Sequence, residues 1–191
     1  MLLSVLKSLR RTKPSSGERR LHIGGVERTA GWEVLNALAG PVVDHVGSAA
    51  DLRQFADGTF AALYSSHVLE HLDYKDELPA GLREWHRVLA PGGCLYVSVP
   101  DLAVLAKLFL TEGLSLNDRL FVVRMIFGGH VDAHDYHQMG FDFEILATFL
   151  REAGFVEIER VADFGLFDDT SRAMYAGVPI SVNVTARKPG G

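Results

Sequence analysis

Two clusters in the sequence have the residue types and spacing to do chemistry. The first lies in Ser65-Ser66-His67-Val68-Leu69-Glu70-His71-Leu72, where His67 and His71 stand four apart. On a helix that spacing puts two imidazoles on one face, as helical zinc sites require. A metal would need a third ligand, and Glu70 is not arranged as in a His-Glu-x-x-His signature. The expectation is therefore no metal: His67 faces a cleft and His71 packs locally. The second cluster, His130, Asp132, His134, Asp135 and His137, lies between two glycine-containing turns. Its spacings suit a ligand set, a general base, a polar wall against a substrate, or a solvated loop with incidental histidines. An imidazole that titrates near neutral pH can take the proton that a hydroxyl or amine loses on reaction. His134 and His137 are the candidate bases, with His67 behind them.

Positioning these groups requires a scaffold, and the chain reads as alternating strands and helices. Arg20 to Ile23 forms a strand running into Gly24-Gly25, and a second short strand covers 31–36, too close behind for a full crossover helix. A third covers 41–46. The fourth runs from the Asp57-Gly58 turn through Phe60 to Ser66, with His67 opening a helix. Leu78, Leu82, Trp85, Val88 and Leu89 recur at helical spacing over 76–89, and Pro91-Gly92-Gly93 ends that helix before a fifth strand at 94–99. That strand is almost wholly apolar, as if buried by helices on both faces. Residues 102–127 read as one or two helices, with Asp101 as an N-cap. A helix over 143–153 closes at Gly154, and two strands, 155–161 and 178–186, finish the chain. The fold class is α/β, a Rossmann-like doubly wound mixed sheet of six to seven strands with helices inserted after the fifth. Trp85 and Trp32 read as core rather than site. The apolar run Phe121 to Phe127 reads as a lid or half of a homodimer contact.

At 191 residues the chain has room for one well-packed domain, 21–191, behind a basic arm at 1–20. Within the domain, 102–140 reads as an acceptor-side insertion. The formal net charge is -5, yet six basic residues fall in 1–20 against Glu18 alone, so the body is acidic. An acidic body argues against a nucleic-acid partner. The first eleven residues have the pattern of a short amphipathic helix able to rest on anionic lipid or pack on the domain. With one cysteine, Cys94, there is no disulfide framework, and no apolar run reaches a membrane span. The expected location is the cytoplasm.

Several phrases together resemble the class I S-adenosylmethionine-dependent methyltransferases, in particular a small branch associated with glycan and cell-surface biosynthesis. They are Leu21-His22-Ile23-Gly24-Gly25, Asp57-Gly58-Thr59-Phe60, His67-Val68-Leu69-Glu70-His71, Arg87-Val88-Leu89-Ala90-Pro91-Gly92-Gly93, Ser98-Val99-Pro100-Asp101 and Gly140-Phe141. The resemblance implies S-adenosylmethionine as cofactor. Gly24 and Gly25 would lie under its methionine part, Asn36 would bond the ribose, Asp51 and Leu52 would meet the adenine, and Ser66 and His67 would line the floor toward the methyl. It implies methyl transfer to an oxygen or nitrogen of a small or sugar-like acceptor. The sequence departs from the family pattern at three positions. Val26 stands at the second glycine of the loop, Asn36 replaces an acidic residue, and Ala61 stands where aspartate often follows the Phe. These departures make the glycine loop and the cofactor cleft around it degenerate and keep a second reading open, a catalytically silent relative acting as a partner subunit or binding module.

Overall fold

In a computed structural model, residues 18–191 are described. Residues 1–17 of the basic arm, including the linker at 13–17, lie outside those residues, and Arg20 already belongs to the first strand. Strands β1 (Arg20–Ile23), β2 (Glu33–Asn36), β3 (His45–Val46), β4 (Phe60–Ser66), β5 (Leu89–Pro100), β6 (Val156–Val161) and β9 (Ser181–Arg187) form one sheet. Its order is β3-β2-β1-β4-β5-β9-β6. The first five strands run parallel, and β9 is antiparallel to both β5 and β6. Strands β7 (Met174–Tyr175) and β8 (Val178–Pro179) make a separate small hairpin. The α/β mixed sheet expected from the sequence is thus present, and no helix among the described residues is long and apolar enough to cross a membrane.

Strand side chains alternate between two faces, so each strand splits its apolar residues between two layers. Leu21, Ile23, Leu63, Leu95, Val97, Val99, Val182 and Val184 point to one face. There they meet Leu78, Leu82, Trp85 and Val88 of α1 (Glu77–Val88) and Leu146 and Leu150 of α4 (Phe143–Glu152). Trp85 is fully buried, and its indole nitrogen donates to Ala49 O at 2.7 Å. The opposite face carries Ala62 and Tyr64, with Cys94 and Tyr96, under Trp32, Phe164, Leu166 and Phe167. Helices on both sides of β5 were expected. Among the described residues, an aromatic loop layer covers this second face instead. The connections β1–β2 and β2–β3 span only 24–32 and 37–44, too short to carry packed helices.

Three further boundaries differ from the sequence reading. The third strand shrinks to two residues because 41–44 turn, with Asp44 Oδ2 accepting from Val34 N at 2.9 Å. Pro91-Gly92-Gly93 does not precede β5 but lies within it, beside an irregular register against β4, with Gly92 at φ +74°. His67 does not open a long helix. It takes φ +54° and leads into a single 3-10 turn, Leu69–His71, before α1 begins. After β5 come α2 (Leu102–Phe109) and α3 (Leu116–Phe127), packed together through Leu105, Leu108 and Val122. Asp101 caps α2, accepting from Val104 N, and is also paired with Arg160.

Candidate functional site

Parallel strands deliver the residues after β1, β2 and β4 to one edge of the sheet, where open α/β folds bind ligands. Gly24, at φ +79°, is roofed by Val68 from the loop after β4, in the space a β-carbon would need. Gly25 is confined by His22 and Val34 in the same way. Asn36 ties this corner together: its Nδ2 donates to Gly25 O at 3.1 Å, and its Oδ1 accepts from Leu38 N at 3.0 Å. A carboxylate could not make the first of these bonds, which gives the asparagine a structural reason. Val26 turns outward, 76% exposed. Asp51 lies on the surface, its carboxylate held by the Arg53 guanidinium, which keeps its pKa down at about 2. Leu52 beside it is fully buried. Ser66 Oγ meets Thr170 Oγ1 at 2.9 Å.

From His67 onward the edge is lined by titratable groups. His67 Nε2 lies 2.9 Å from Ser181 Oγ, whose proton is donated to Thr170 O. Nε2 is therefore the protonated nitrogen, and Nδ1 keeps its lone pair, 3.7 Å from Glu70 Oε1. Burial lowers the His67 pKa to about 4, so its ring is neutral at physiological pH. Glu70 is 1% exposed, and neither carboxyl oxygen has a hydrogen-bond partner. Burial pushes its pKa up to about 8.

The segment 128–141 folds over this carboxyl group. Gln138 N and Met139 N both donate to Glu70 O, and Gln138 Nε2 donates to His71 O. His137 is thereby set against Glu70, its Nε2 at 4.0 Å from Oε1. Burial lowers the His137 pKa, with the neighbouring His71 adding to the effect. Asp132 and Asp135 shape the rest of the segment, accepting from His134 N and Val131 N.

The sequence-based candidates thus separate. His67 and His137 come together at Glu70; His134 is exposed, and its backbone rather than its ring is fixed. Glu70 and His71 were weighed with His67 as metal ligands and set aside, and Thr170 and Ser181 were not considered. Glu70 carried a signal: a carboxylate set among Val68, Leu69 and Leu72.

A family model described as a methyltransferase domain matches residues 27–97. Demethylmenaquinone methyltransferase of Chlorobaculum tepidum is 27% identical over 126 residues, covering 62% of this chain and 50% of that protein. The chain thus spans about half the length of this curated relative. Among solved structures, a SAM-dependent methyltransferase from Archaeoglobus fulgidus superposes with TM-score 0.57 at 15% identity, covering 90% of this chain and 86% of that one. The Burkholderia thailandensis 1,6-didemethyltoxoflavin-N1-methyltransferase, with 1,6-didemethyltoxoflavin and S-adenosylhomocysteine bound, gives TM-score 0.54 at 18% identity, covering 90% and 71%. At these identities the structures speak to fold. The domain match and the curated relatives agree with the resemblance to class I S-adenosylmethionine-dependent methyltransferases and with S-adenosylmethionine as the cofactor. Gly24 and Gly25 bring backbone to the sheet edge where the resemblance expects the cofactor's methionine part, and the space their β-carbons would need is taken by Val68, His22 and Val34.

Proposed function

We propose that this methyltransferase-fold chain moves the methyl group of S-adenosylmethionine to an oxygen or nitrogen of a small-molecule acceptor. The observation that carries the reading is the convergence of the glycine pair after β1 with His67, Glu70 and His137 at one edge of the sheet. The cofactor supplies an electrophilic methyl on a sulfonium centre; the protein needs to align an acceptor and exclude water.

On this reading Gly24 and Gly25 admit the cofactor's methionine part, Asn36 borders its ribose and Ser66 lines the floor, while Leu52, wholly buried, supports the adenine side from the core. Asp51 would share its carboxylate between Arg53 and the adenine amino group. The acceptor sits under the segment 128–141. Its proton passes to an imidazole nitrogen that holds a lone pair, His67 Nδ1 or His137 Nε2. A positive charge formed on either ring would face the Glu70 carboxyl group. Tyr136, half exposed and stacked on His130 at 4.0 Å, offers an aromatic face to a sugar-like or planar acceptor. The curated relatives are named for acting on demethylmenaquinone; here the acceptor class is argued from the histidines and Tyr136.

Calorimetric titration with S-adenosylmethionine and S-adenosylhomocysteine tests the reading. Micromolar binding is expected, weakened about tenfold in Asp51→Ala, the worth of one good hydrogen bond. Because Asp51 is a surface residue, that variant keeps the fold. No binding up to millimolar by folded protein overturns the proposal in favour of a silent binding module.

A further inference from the structure

The unpaired Glu70 carboxyl group has a second set of neighbours besides His67. One ligand-capable atom each of Glu70, His71 and His137 lie within 4.8 Å of one another. The two histidines belong to different segments, one to the 3-10 turn after β4 and the other to the segment 128–141, so no motif in the sequence announces the set. The rings stand edge to face, 4.8 Å between centroids.

Hydrogen bonds fix how each ring presents itself. His71 Nδ1 lies 3.2 Å from Tyr136 O, and His137 Nδ1 lies 3.2 Å from Ile126 O. A carbonyl oxygen only accepts, so both Nδ1 atoms carry the proton, which leaves each Nε2 as the nitrogen a cation can take. Imidazoles that ligate metals are held this way, the far nitrogen donating to a carbonyl and the near one free. Glu70 supplies the third element, a carboxyl group with neither oxygen satisfied, buried where an unpaired polar group is costly and ready to give up its proton to a cation. Two imidazoles and one carboxyl group on one side of a point leave coordination positions open on the other.

We propose that Glu70, His71 and His137 bind one divalent first-row transition cation, such as zinc or iron(II), through Glu70 Oε and the two Nε2 atoms. Ligand bonds of about 2.0–2.2 Å require the three atoms to draw in by about an ångström. The exposed side of His71 gives the cation a way in. Its charge replaces the missing partner of Glu70. With His137 committed to the cation, His67 Nδ1 remains the proton-accepting nitrogen for an acceptor. The inference goes beyond methyl transfer and holds without it, because the donor set binds whether or not a methyl group moves.

The test uses full-length protein stripped with a chelator and titrated with cobalt(II) and zinc(II) in the absence of S-adenosylmethionine. One cobalt per chain is expected, with visible absorption bands that zinc abolishes. His71→Ala and His137→Ala each weaken binding at least about tenfold, while His134→Ala binds as the parent does. His71→Ala removes a partly exposed ring, so its fold, checked by circular dichroism, survives if the His137 variant's does not. Less than half an equivalent bound by folded parent protein, or parent-like binding by folded His71→Ala, overturns the inference. Cofactor binding by the metal-free protein is read separately, so the two proposals fail independently.

Discussion

The edge of the sheet has two halves built on opposite terms. On the glycine side, after β1 and β2, the donors and acceptors of Asn36 are spent on neighbouring backbone, and the Asp51 carboxylate is spent on Arg53. On the histidine side, Glu70 is buried with both oxygens unsatisfied, and the His67 and His137 rings each turn a nitrogen toward it. The first half is finished by its own hydrogen bonds and offers a ligand shape. The second is unfinished and offers a ligand charge. Substitutions on the glycine side should cost fold first, and substitutions on the histidine side should cost chemistry first.

Gly24→Val should show the largest effect. Its φ of +79° excludes a branched side chain, and Val68 fills the space. Strain and overpacking together cost about 3 kcal/mol or more. Urea unfolding would show it, and parent-like stability would break the comparison. Glu70→Met tests the other half in the opposite direction. Removing a buried unsatisfied carboxyl group should leave the metal-free protein more stable by about 1 to 2 kcal/mol. Methyl transfer should fall by at least about tenfold, because the imidazolium formed on His67 or His137 loses the group that faces it. A variant that loses stability while keeping activity would show that Glu70 serves the core.

A smaller effect reports on the outer strands of the glycine side. Glu33 on β2 pairs with Arg19 and His45, and its pKa is held at about 2, mainly by the Arg19 hydrogen bond. Depression of a carboxylate stabilises the fold above the ordinary glutamate range and is lost as pH falls through the native value. Parent protein should therefore lose about 1 kcal/mol more than Glu33→Gln between pH 5 and pH 2, modest because the pair is partly exposed. Equal losses would mean that the ion pair does not hold β2 and β3.

The sequence made the scaffold legible wherever long periodic segments decided the structure. Leu78, Leu82, Trp85 and Val88 named α1, and the run from Phe60 to Ser66 named the central strand. The second face of the sheet was not legible, because β5 reads as apolar whether helices or Phe164 and Phe167 cover it. At the site, Gly24, Gly25 and His67 could be picked out as neighbours in a known pattern. Glu70 could not be assigned, because its importance comes from missing partners, a property of packing. The His71–His137 pairing depends on two backbone bonds from Gln138 and Met139 to Glu70, which no spacing encodes.

His134 and His137 show the limit most sharply, and they supply the smallest expected effect. From sequence they are equivalent: two histidines in one polar segment, either suited to take a proton. The fold gives His137 a buried place against Glu70 with its Nδ1 at Ile126 O, while His134 keeps only a backbone bond to Asp132 and an exposed ring. His134→Ala removes exposed ring atoms, so stability should change by less than about 0.5 kcal/mol. Methyl transfer should change by less than about twofold, well below a general base's contribution. Measured beside His137→Ala under one set of assay conditions, the pair isolates burial from residue type. If His134→Ala proved the more damaging, the segment 128–141 would have to turn over on binding the acceptor, bringing His134 inward. The unfinished half of the edge would then be completed by a moving loop instead of by a ligand.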